Sequence, residues 1–316
     1  MIAKFWGVRG SIPAPPTSKE VKFKMLRLLE QAANHDISTP AKREEFLQTV
    51  DEKLLGVLGG NTSCVELRVE DKIFIFDMGS GLRELGQYLI NKVGNSESLE
   101  LHIFIGHTHW DHIQGFPFFL PAYNSKTTIN FYHLHPQLKE RLDLQQDFRF
   151  FPVSLDYMAS KRTYNQLQVD SEITIGKVKI KTIELNHPGK AFGYRVEYCG
   201  KTFIYASDSE YSNLPPERIN KYIDFYKDAD LLVFDAPYSF NEELEKINWG
   251  HSSALVGIDI SVKARVKHLA LFHHAPENDD YEVFKLLDTA LHYKQRNYPL
   301  ANLNVFLARE GMEINL

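Results

Sequence analysis

The chain has 316 residues, 43% hydrophobic and 24% charged, with a net charge of −5 at pH 7. Those proportions are ordinary for a soluble globular protein, the length can bury a core without disulfide staples, and the acidic balance lacks the basic field that long nucleic acids favour. No apolar run approaches the ~20 residues of a membrane span, and Cys64 and Cys199 read as free thiols in a reducing, cytoplasmic compartment.

In chain order the first element is the strand "AKFWGV", and the N-terminal residues lack the basic segment and long apolar run of a signal peptide. Residues 17–55 read as a helical insertion. Thr17 and Glu20 have capping-box spacing, with Val21, Met25, Leu28 and Leu29 on one face of a helix. Thr39 before Pro40 starts a second helix whose buried stripe is Phe46, Val50 and Leu54, and Gly56 stops it. This segment is expected to pack on the domain edge; a lid or a dimer contact near the site is the sharper alternative.

Next, "GGNTSC" (59–64) is a tight turn into the strand "CVELRV". Its glycines and hydroxyl residues would also suit an anion, a weak signal by itself. After the strand "KIFIFD", Asp77 in "FDMGSGLREL" either caps the helix Leu82–Asn91 or orients a neighbouring loop. The strand "LHIFI" then opens into "HTHWDH", residues 107–112. Three imidazoles and a carboxylate in six residues make a poor core, because each polar group would need a partner there. His107 and His109, two apart in an extended loop, project to one side, while Asp111 and His112 follow a turn and can face a second ion. A loop leaving a strand end is held by rigid scaffolding, as ligands require.

Downstream, "GFPFF" with Pro121 and Tyr123 offers an aromatic rim for a base, although most of those rings suit the core under the loop. His102 is expected to be solvent-facing or paired. His133 and His135, after the strand "TINFYH", are expected in a surface loop. The strands "KVKIKTIEL", "GYRVEYCG", "KTFIYA", "LLVFDA", "HLALFH" and "NVFLA" follow, with helices at Ser252–Val266 and Tyr281–Tyr293. Many strands, interspersed helices and no repeat period suggest an α/β sandwich with helices covering two sheets.

The His-x-His-x-Asp-His run of residues 107–112 resembles the hallmark of the metallo-β-lactamase-fold hydrolases. Later positions of that family's pattern are filled in order: His187 in "IELNHPGKAFGYRV", Asp208 in "FIYASDSE" and His273 in "HLALFHHAP", each after a strand. The resemblance covers most of the chain. It implies a four-layer αββα sandwich, residues 1–316 as a single hydrolase domain, with the insertion at about 17–55. It further implies two divalent metal ions. His107, His109 and His187 would hold the first, Asp111, His112 and His273 the second, and Asp208 would bridge them. Nitrogen and oxygen donors suit Zn²⁺ and would accept Mn²⁺ or Fe²⁺. Neither cysteine falls at a ligand position, unlike the β-lactam-cleaving branch. Alanine at 275 stands where an acidic residue is common in relatives, which leaves the support of His273 open.

Within the family, "FWGVRGSIPAP", "GGNTSC", "HTHWDHIQGFPFF" and "NWGHSS" look like the phosphodiesterase branch that contains tRNase Z. More narrowly they look like the bacterial and phage cyclic-nucleotide phosphodiesterases, including the anti-Pycsar enzymes. In that branch a histidine before a small hydroxyl residue donates a proton beside the metals; His251 with Ser252 matches it. The expected reaction opens a 3′,5′-cyclic nucleotide to the nucleoside monophosphate. A hydroxide bridging two ions ~3.5–4 Å apart would attack, and His251 would protonate the departing ribose oxygen, a contribution of ~10²–10⁴ in rate. Asp111 and His251 are the catalytic residues of that expectation.

His251 has plainer alternatives: it could precede a helix capped by Ser252 or Ser253, or replace His273 as a ligand. His274 is a possible substrate contact by adjacency alone. Cleavage of tRNA precursors is the rival reaction, disfavoured by the net acidity and by the lack of a basic, Gly-rich arm between His112 and His187. Hydrolysis of a β-lactam or thioester would leave His251 without a task. A homodimer is a possible further partner, and whether a neighbouring subunit completes the pocket is left open by the sequence.

Overall fold

The computed structural model describes residues 1–94 and 97–316. Its fourteen strands are β1 (Ile2–Gly7), β2 (Cys64–Val69), β3 (Lys72–Phe76), β4 (Leu99–Ile105), β5 (Thr127–His133), β6 (Lys161–Gln166), β7 (Glu172–Ile175), β8 (Val178–Leu185), β9 (Ala191–Tyr198), β10 (Lys201–Ala206), β11 (Leu231–Asp235), β12 (His268–Phe272), β13 (Asn304–Leu307) and β14 (Glu313–Asn315). They form two seven-stranded sheets, ordered β14-β1-β2-β3-β4-β5-β6 and β13-β12-β11-β10-β9-β8-β7. In each sheet one half is antiparallel and the other parallel: β3 to β6 run parallel in the first, β10 to β13 in the second. Parallel strands place their C-terminal ends on one edge, and that edge carries the candidate site.

The helices are α1 (Ser18–Ala32), α2 (Pro40–Thr49), α3 (Glu52–Leu55), α4 (Gly81–Val93), α5 (Trp110–Ile113), α6 (Leu138–Gln145), α7 (Pro216–Tyr226), α8 (Phe240–Glu245), α9 (Ala254–Ala264) and α10 (Asp280–Asn297). Between the sheets lies an aromatic-rich core of Phe5, Phe74, Phe76, Phe104, Tyr194, Phe203, Tyr205 and Phe272, with Phe76 stacked within 5.5 Å of Phe104 and Tyr205. Side chains of α4 fill the outer face of the first sheet, around Leu82, Leu85, Ile103 and Phe131. Those of α7, α9 and α10 cover the second, around Tyr226, Ile258, Ala290 and Phe234. The layers are therefore α, β, β, α, as expected. No helix among the described residues is long and apolar enough to cross a membrane.

Three strands lack the expected signal. β6 ("KRTYNQ") is a sheet edge with a polar sequence, whereas β7 and β14 are four and three residues long. Edge strands need bury only one face, so apolar periodicity fades there.

In the 17–55 segment, α1 starts at Thr17 with the capping box to Glu20, and α2 at Thr39 with Pro40 in its first turn. Gly56 follows a separate short helix, α3, capped by Asp51. Phe46 and Val50 are buried, but the expected face of α1 is not: Val21, Met25 and Leu29 are exposed. The segment is tied down by charge: Lys24 pairs with Asp280 at 2.7 Å and Lys53 with Asp288 at 3.0 Å.

Several histidines also sit differently from expectation. His133 and His135 are buried, with the His133 Nδ1 2.7 Å from the His135 carbonyl and the His135 ring against Phe192. His102 follows the paired one of its two expected alternatives: it is buried, stacked on Phe74, with its Nδ1 3.3 Å from the Tyr132 hydroxyl. His274 has no substrate-facing role, since it is buried with its Nε2 2.9 Å from the Ala308 carbonyl. Cys64 is buried in β2 and Cys199 is exposed at the β9–β10 turn.

Candidate metal centre

The site forms where strands end and the chain must turn sharply. Asp77 after β3, Asp208 after β10 and His273 after β12 all have left-handed backbone, with φ of 61°, 58° and 63°. Aspartate and histidine tolerate this conformation better than most side chains, and a turn of that kind lifts the side chain off the strand end toward a common point. Two glycines permit close approach. A Cβ at Gly10 would lie 2.4 Å from the His273 ring, and one at Gly250, where φ is +87°, would lie 2.2 Å from the His187 Nδ1.

Seven side chains converge. His107, His109 and His187 form one group of donors, and Asp111, His112, Asp208 and His273 a second. Asp208 spans both: its Oδ2 lies 3.6 Å from His107 Nε2 and 3.9 Å from His187 Nε2, while its Oδ1 lies 3.2 Å from His112 Nε2 and 3.4 Å from His273 Nε2. His187 Nε2 is 3.1 Å from His109 Nδ1, and Asp111 Oδ2 is 3.1 Å from His273 Nε2 and 3.2 Å from His112 Nε2. A tetrahedral ion with bonds of ~2.0–2.2 Å holds its donors roughly 3.3–3.6 Å apart, so these separations suit a shared cation in each group.

Protonation points the same way. His112 Nδ1 is 2.7 Å from Asp77 and His187 Nδ1 is 2.9 Å from the Gly250 carbonyl, so each ring donates from Nδ1 and turns Nε2 toward the shared donors. His112 Nε2 also faces His273 Nε2 at 3.3 Å, so the two rings aim these nitrogens at one point. His107 Nε2 is buried with no hydrogen-bond partner, and such an orphan is costly unless a ligand satisfies it. The donor set therefore fits two divalent ions.

The two groups differ electrostatically. Burial, with neighbouring imidazoles adding to it, holds His107 well below its usual pKa and lowers His109 and His187. These three are neutral donors. In the second group burial opposes the charged form, but the carboxylates of Asp208, Asp111 and Asp77 outweigh it and lift His112 well above its usual value. His273 is likewise pushed up to about 10, against its burial, by Asp208, Asp111 and Asp235. Protons therefore occupy the second group until a metal displaces them, and metal affinity there strengthens as pH rises. A chelator competition at pH 6 and pH 8 will show tighter binding of the second ion at pH 8; equal affinity would contradict this assignment of charge.

Asp77 orients the ligand loop rather than capping α4. Its carboxylate accepts the Gly106 N–H at 2.6 Å and the Tyr205 hydroxyl at 2.7 Å besides facing His112, and it is fully buried. Outer partners of metal-bound histidines are typically worth 10–100-fold in affinity. Asp77→Asn will therefore weaken metal binding by about 10–100-fold without unfolding the protein, measured by metal content after dialysis against a chelator.

His251 lies beside both groups. Its Nδ1 is 2.9 Å from Asp235 Oδ2, and its ring stacks on His273 with centroids 5.0 Å apart and lies 5.2 Å from His187. Burial disfavours its charged form, yet the Asp235 carboxylate, by charge and hydrogen bond, raises its pKa above the usual value. The helix-capping alternative fails in its simple form. Ser253 stands at the N-cap of α9 without a side-chain cap bond, and the Ser252 hydroxyl donates to the Ser209 carbonyl instead.

Asp235 escaped the sequence reading. It ends the fully buried strand "LLVFD", has no exposure, accepts the Ser209 N–H at 2.9 Å, and lies 3.4 Å from His273 Nδ1. It thus supplies the support for His273 that Ala275 does not. The signal was a carboxylate terminating an otherwise apolar strand, which burial alone makes expensive. Arg141 is a second such residue: it donates to the Thr108 hydroxyl at 2.6 Å, between two candidate ligands, and holds the buried His135 down to about 4, after burial itself.

The other motifs settle into structure. In "GGNTSC", Asn61 bonds Glu310 and Thr62 accepts from Ser80 and Gln114, so the segment braces the loop around Gly79. Of the aromatic rim, Phe116, Phe119 and Pro121 are buried and Phe118 is exposed.

Comparisons with known proteins agree with this geometry. Residues 84–274 match the family model described as a beta-lactamase superfamily domain. The chain is 25% identical over 285 residues to a ribonuclease Z of Thermoplasma acidophilum, across 76% of this chain and 88% of that protein. Its fold resembles the metallo-beta-lactamase fold protein YhfI from Bacillus subtilis, with a TM-score of 0.63 and 18% identity over 99% of this chain and 98% of the other. It also resembles the short form of human tRNase Z, with a TM-score of 0.62 and 18% identity over 100% and 99% of the two chains.

Proposed function

The chain belongs to the beta-lactamase superfamily, and from that premise we propose that it is a metal-dependent phosphodiesterase that opens 3′,5′-cyclic nucleotides. One observation carries the reading. His251, whose Nδ1 faces the Asp235 carboxylate and whose charged form that carboxylate favours, sits directly beside two groups of metal donors that share Asp208 and, when charged, has an Nε2 proton to give.

In this proposal His107, His109 and His187 hold one ion, Asp111, His112 and His273 the other, and Asp208 both. Zn²⁺ suits these donors best, and Mn²⁺ or Fe²⁺ would also be accepted. Such ions, when bound, lower the pKa of a water and neutralise phosphate charge. The chain's own residues do the rest. Asp77 and the Gly250 carbonyl fix the ring orientations of His112 and His187. Asp111, held by the Ser11 N–H at 2.7 Å, keeps its carboxylate ionised, because His112 and His273 outweigh its burial. His251 passes its Nε2 proton to the departing ribose oxygen, and Asp235 stabilises the charged ring until it does.

The sign of the pH dependence follows. His251 must be protonated to donate, so kcat falls as pH rises through its raised pKa. Asp235→Asn removes the carboxylate that raises it, and the alkaline limb of the kcat profile will move to lower pH. An unchanged limb would separate Asp235 from the proton donor.

A relative named ribonuclease Z supports phosphodiester chemistry in general, and RNA cleavage is the second reading. The net charge of −5 favours the smaller substrate. Turnover of bis-para-nitrophenyl phosphate by the metal-loaded protein, with none of nitrocefin or S-lactoylglutathione, is the expected result. The opposite pattern would overturn phosphodiester chemistry.

A further inference from the structure

We propose that Trp110 and Trp249 are the two walls of a subsite that grips a planar base of the substrate. The proposal rests on the phosphodiester reading and adds to it where the rest of the substrate lies.

Trp110 stands between two candidate ligands, His109 and Asp111, as the first residue of α5. It is 83% exposed and makes no ring contact among the described residues, although its neighbours Asp111 and His112 are buried. Trp249 stands two residues before His251 and is 62% exposed. By contrast Trp6 is half-buried, donates its indole N–H to Glu66 at 2.8 Å and packs on Tyr88 at 5.2 Å. Packing accounts for Trp6 and leaves the other two unexplained.

Both exposed indoles border the same side of the site. The Gly250 carbonyl, next to Trp249, is 2.9 Å from His187 Nδ1, and His187 Nε2 is 3.1 Å from His109 Nδ1, next to Trp110. The site opens at His109, which is exposed, and at His251, whose side chain is 14% exposed, whereas the side chains of His107, His187 and His273 are 3% and that of His112 is 0% exposed. A phosphate held by the metal donors can extend past His109 and His251, the two residues that Trp110 and Trp249 flank in the chain. The Lys246 ammonium lies 5.8 Å from the Trp249 ring and 4.4 Å from the Tyr238 ring, which steadies the second wall by cation–π attraction. An indole in water at this position gains most from a flat π-surface, and a nucleobase one sugar away from the reacting phosphorus supplies it.

The test compares adenosine 5′-monophosphate with ribose 5-phosphate, which shares the phosphate and sugar but has no base, by calorimetric titration of the metal-loaded full chain. Stacking predicts that the nucleotide binds about 5–100-fold more tightly than the sugar phosphate. Trp110→Ala and Trp249→Ala will each cut that ratio severalfold while ribose 5-phosphate affinity and metal content stay as in the parent. Trp110→Phe, which keeps a ring, will restore part of the ratio. Equal affinity of the two ligands for the parent protein would overturn the subsite alone. So would variants that keep the ratio but change the oligomeric mass, because the indoles would then belong to a contact between copies. Failure of ribose 5-phosphate to bind at all, with no turnover of bis-para-nitrophenyl phosphate, would overturn the phosphodiester reading and the subsite together.

Discussion

Replacing His251 with alanine lowers kcat by about 10²–10⁴ while both ions stay bound. The size of the effect follows from the leaving group. A ribose oxygen departs poorly as an alkoxide, and a positioned imidazole relieves that charge as the bond breaks. The position is prepared: Asp235 fixes Nδ1 at 2.9 Å, and the ring is stacked on His273, so little reorientation is needed at the moment of transfer. The rival role, a metal ligand, predicts a different outcome. His251 does lie within ligand distance of His187 and Asp208 and of Asp235 and His273. If it were a ligand, alanine would lower metal content along with kcat. Metal analysis of the variant beside its turnover separates the two, as does a substrate with a good leaving group. Para-nitrophenolate departs without a proton, so bis-para-nitrophenyl phosphate will be cleaved by the variant with a much smaller loss than a cyclic nucleotide.

Replacing Asp208 with alanine has an even larger expected effect, because it strikes both metal groups. Its two oxygens face different imidazole pairs, Oδ2 toward His107 and His187 and Oδ1 toward His112 and His273. It is also the carboxylate that first offsets the burial of His112 and His273. Loss of an outer partner typically costs 10–100-fold in metal affinity, so loss of a shared ligand will cost at least about 100-fold and leave turnover near background at micromolar metal. Asp208→Asn keeps the shape and one donor oxygen but not the charge, and will bind one ion better than two. A variant that retained both ions and full activity would remove Asp208 from the centre.

Much of this site was legible because its residues break the rules of a core. Three imidazoles and a carboxylate within residues 107–112 cannot be packed without partners, and His187, Asp208 and His273 each follow a strand that points to the same edge. Alternating apolar runs likewise marked the central strands. What escaped was context-dependent. Asp235 reads as the last letter of a buried strand, and only the turn after β12 and the loop before α9 make its carboxylate a partner of two histidines, His273 and His251. Helical periodicity located α1 but could not say whether anything covers Val21, Met25 and Leu29, and among the described residues all three stay exposed. His133 and His135 looked like surface residues because polarity is a local property and burial is not. The exposed Trp110 was visible in "HTHWDH", yet its exposure has meaning only beside the open edge at His109.

The proposed reaction is the opening of a cyclic phosphodiester at this metal centre. Incubating the metal-loaded protein in parallel with cyclic AMP, cyclic GMP, the cyclic pyrimidine nucleotides and a precursor tRNA tests it most directly. At least one cyclic nucleotide will be converted to its nucleoside monophosphate, and the conversion will be lost with His251→Ala. Cleavage of the precursor tRNA with every cyclic nucleotide left intact would contradict it.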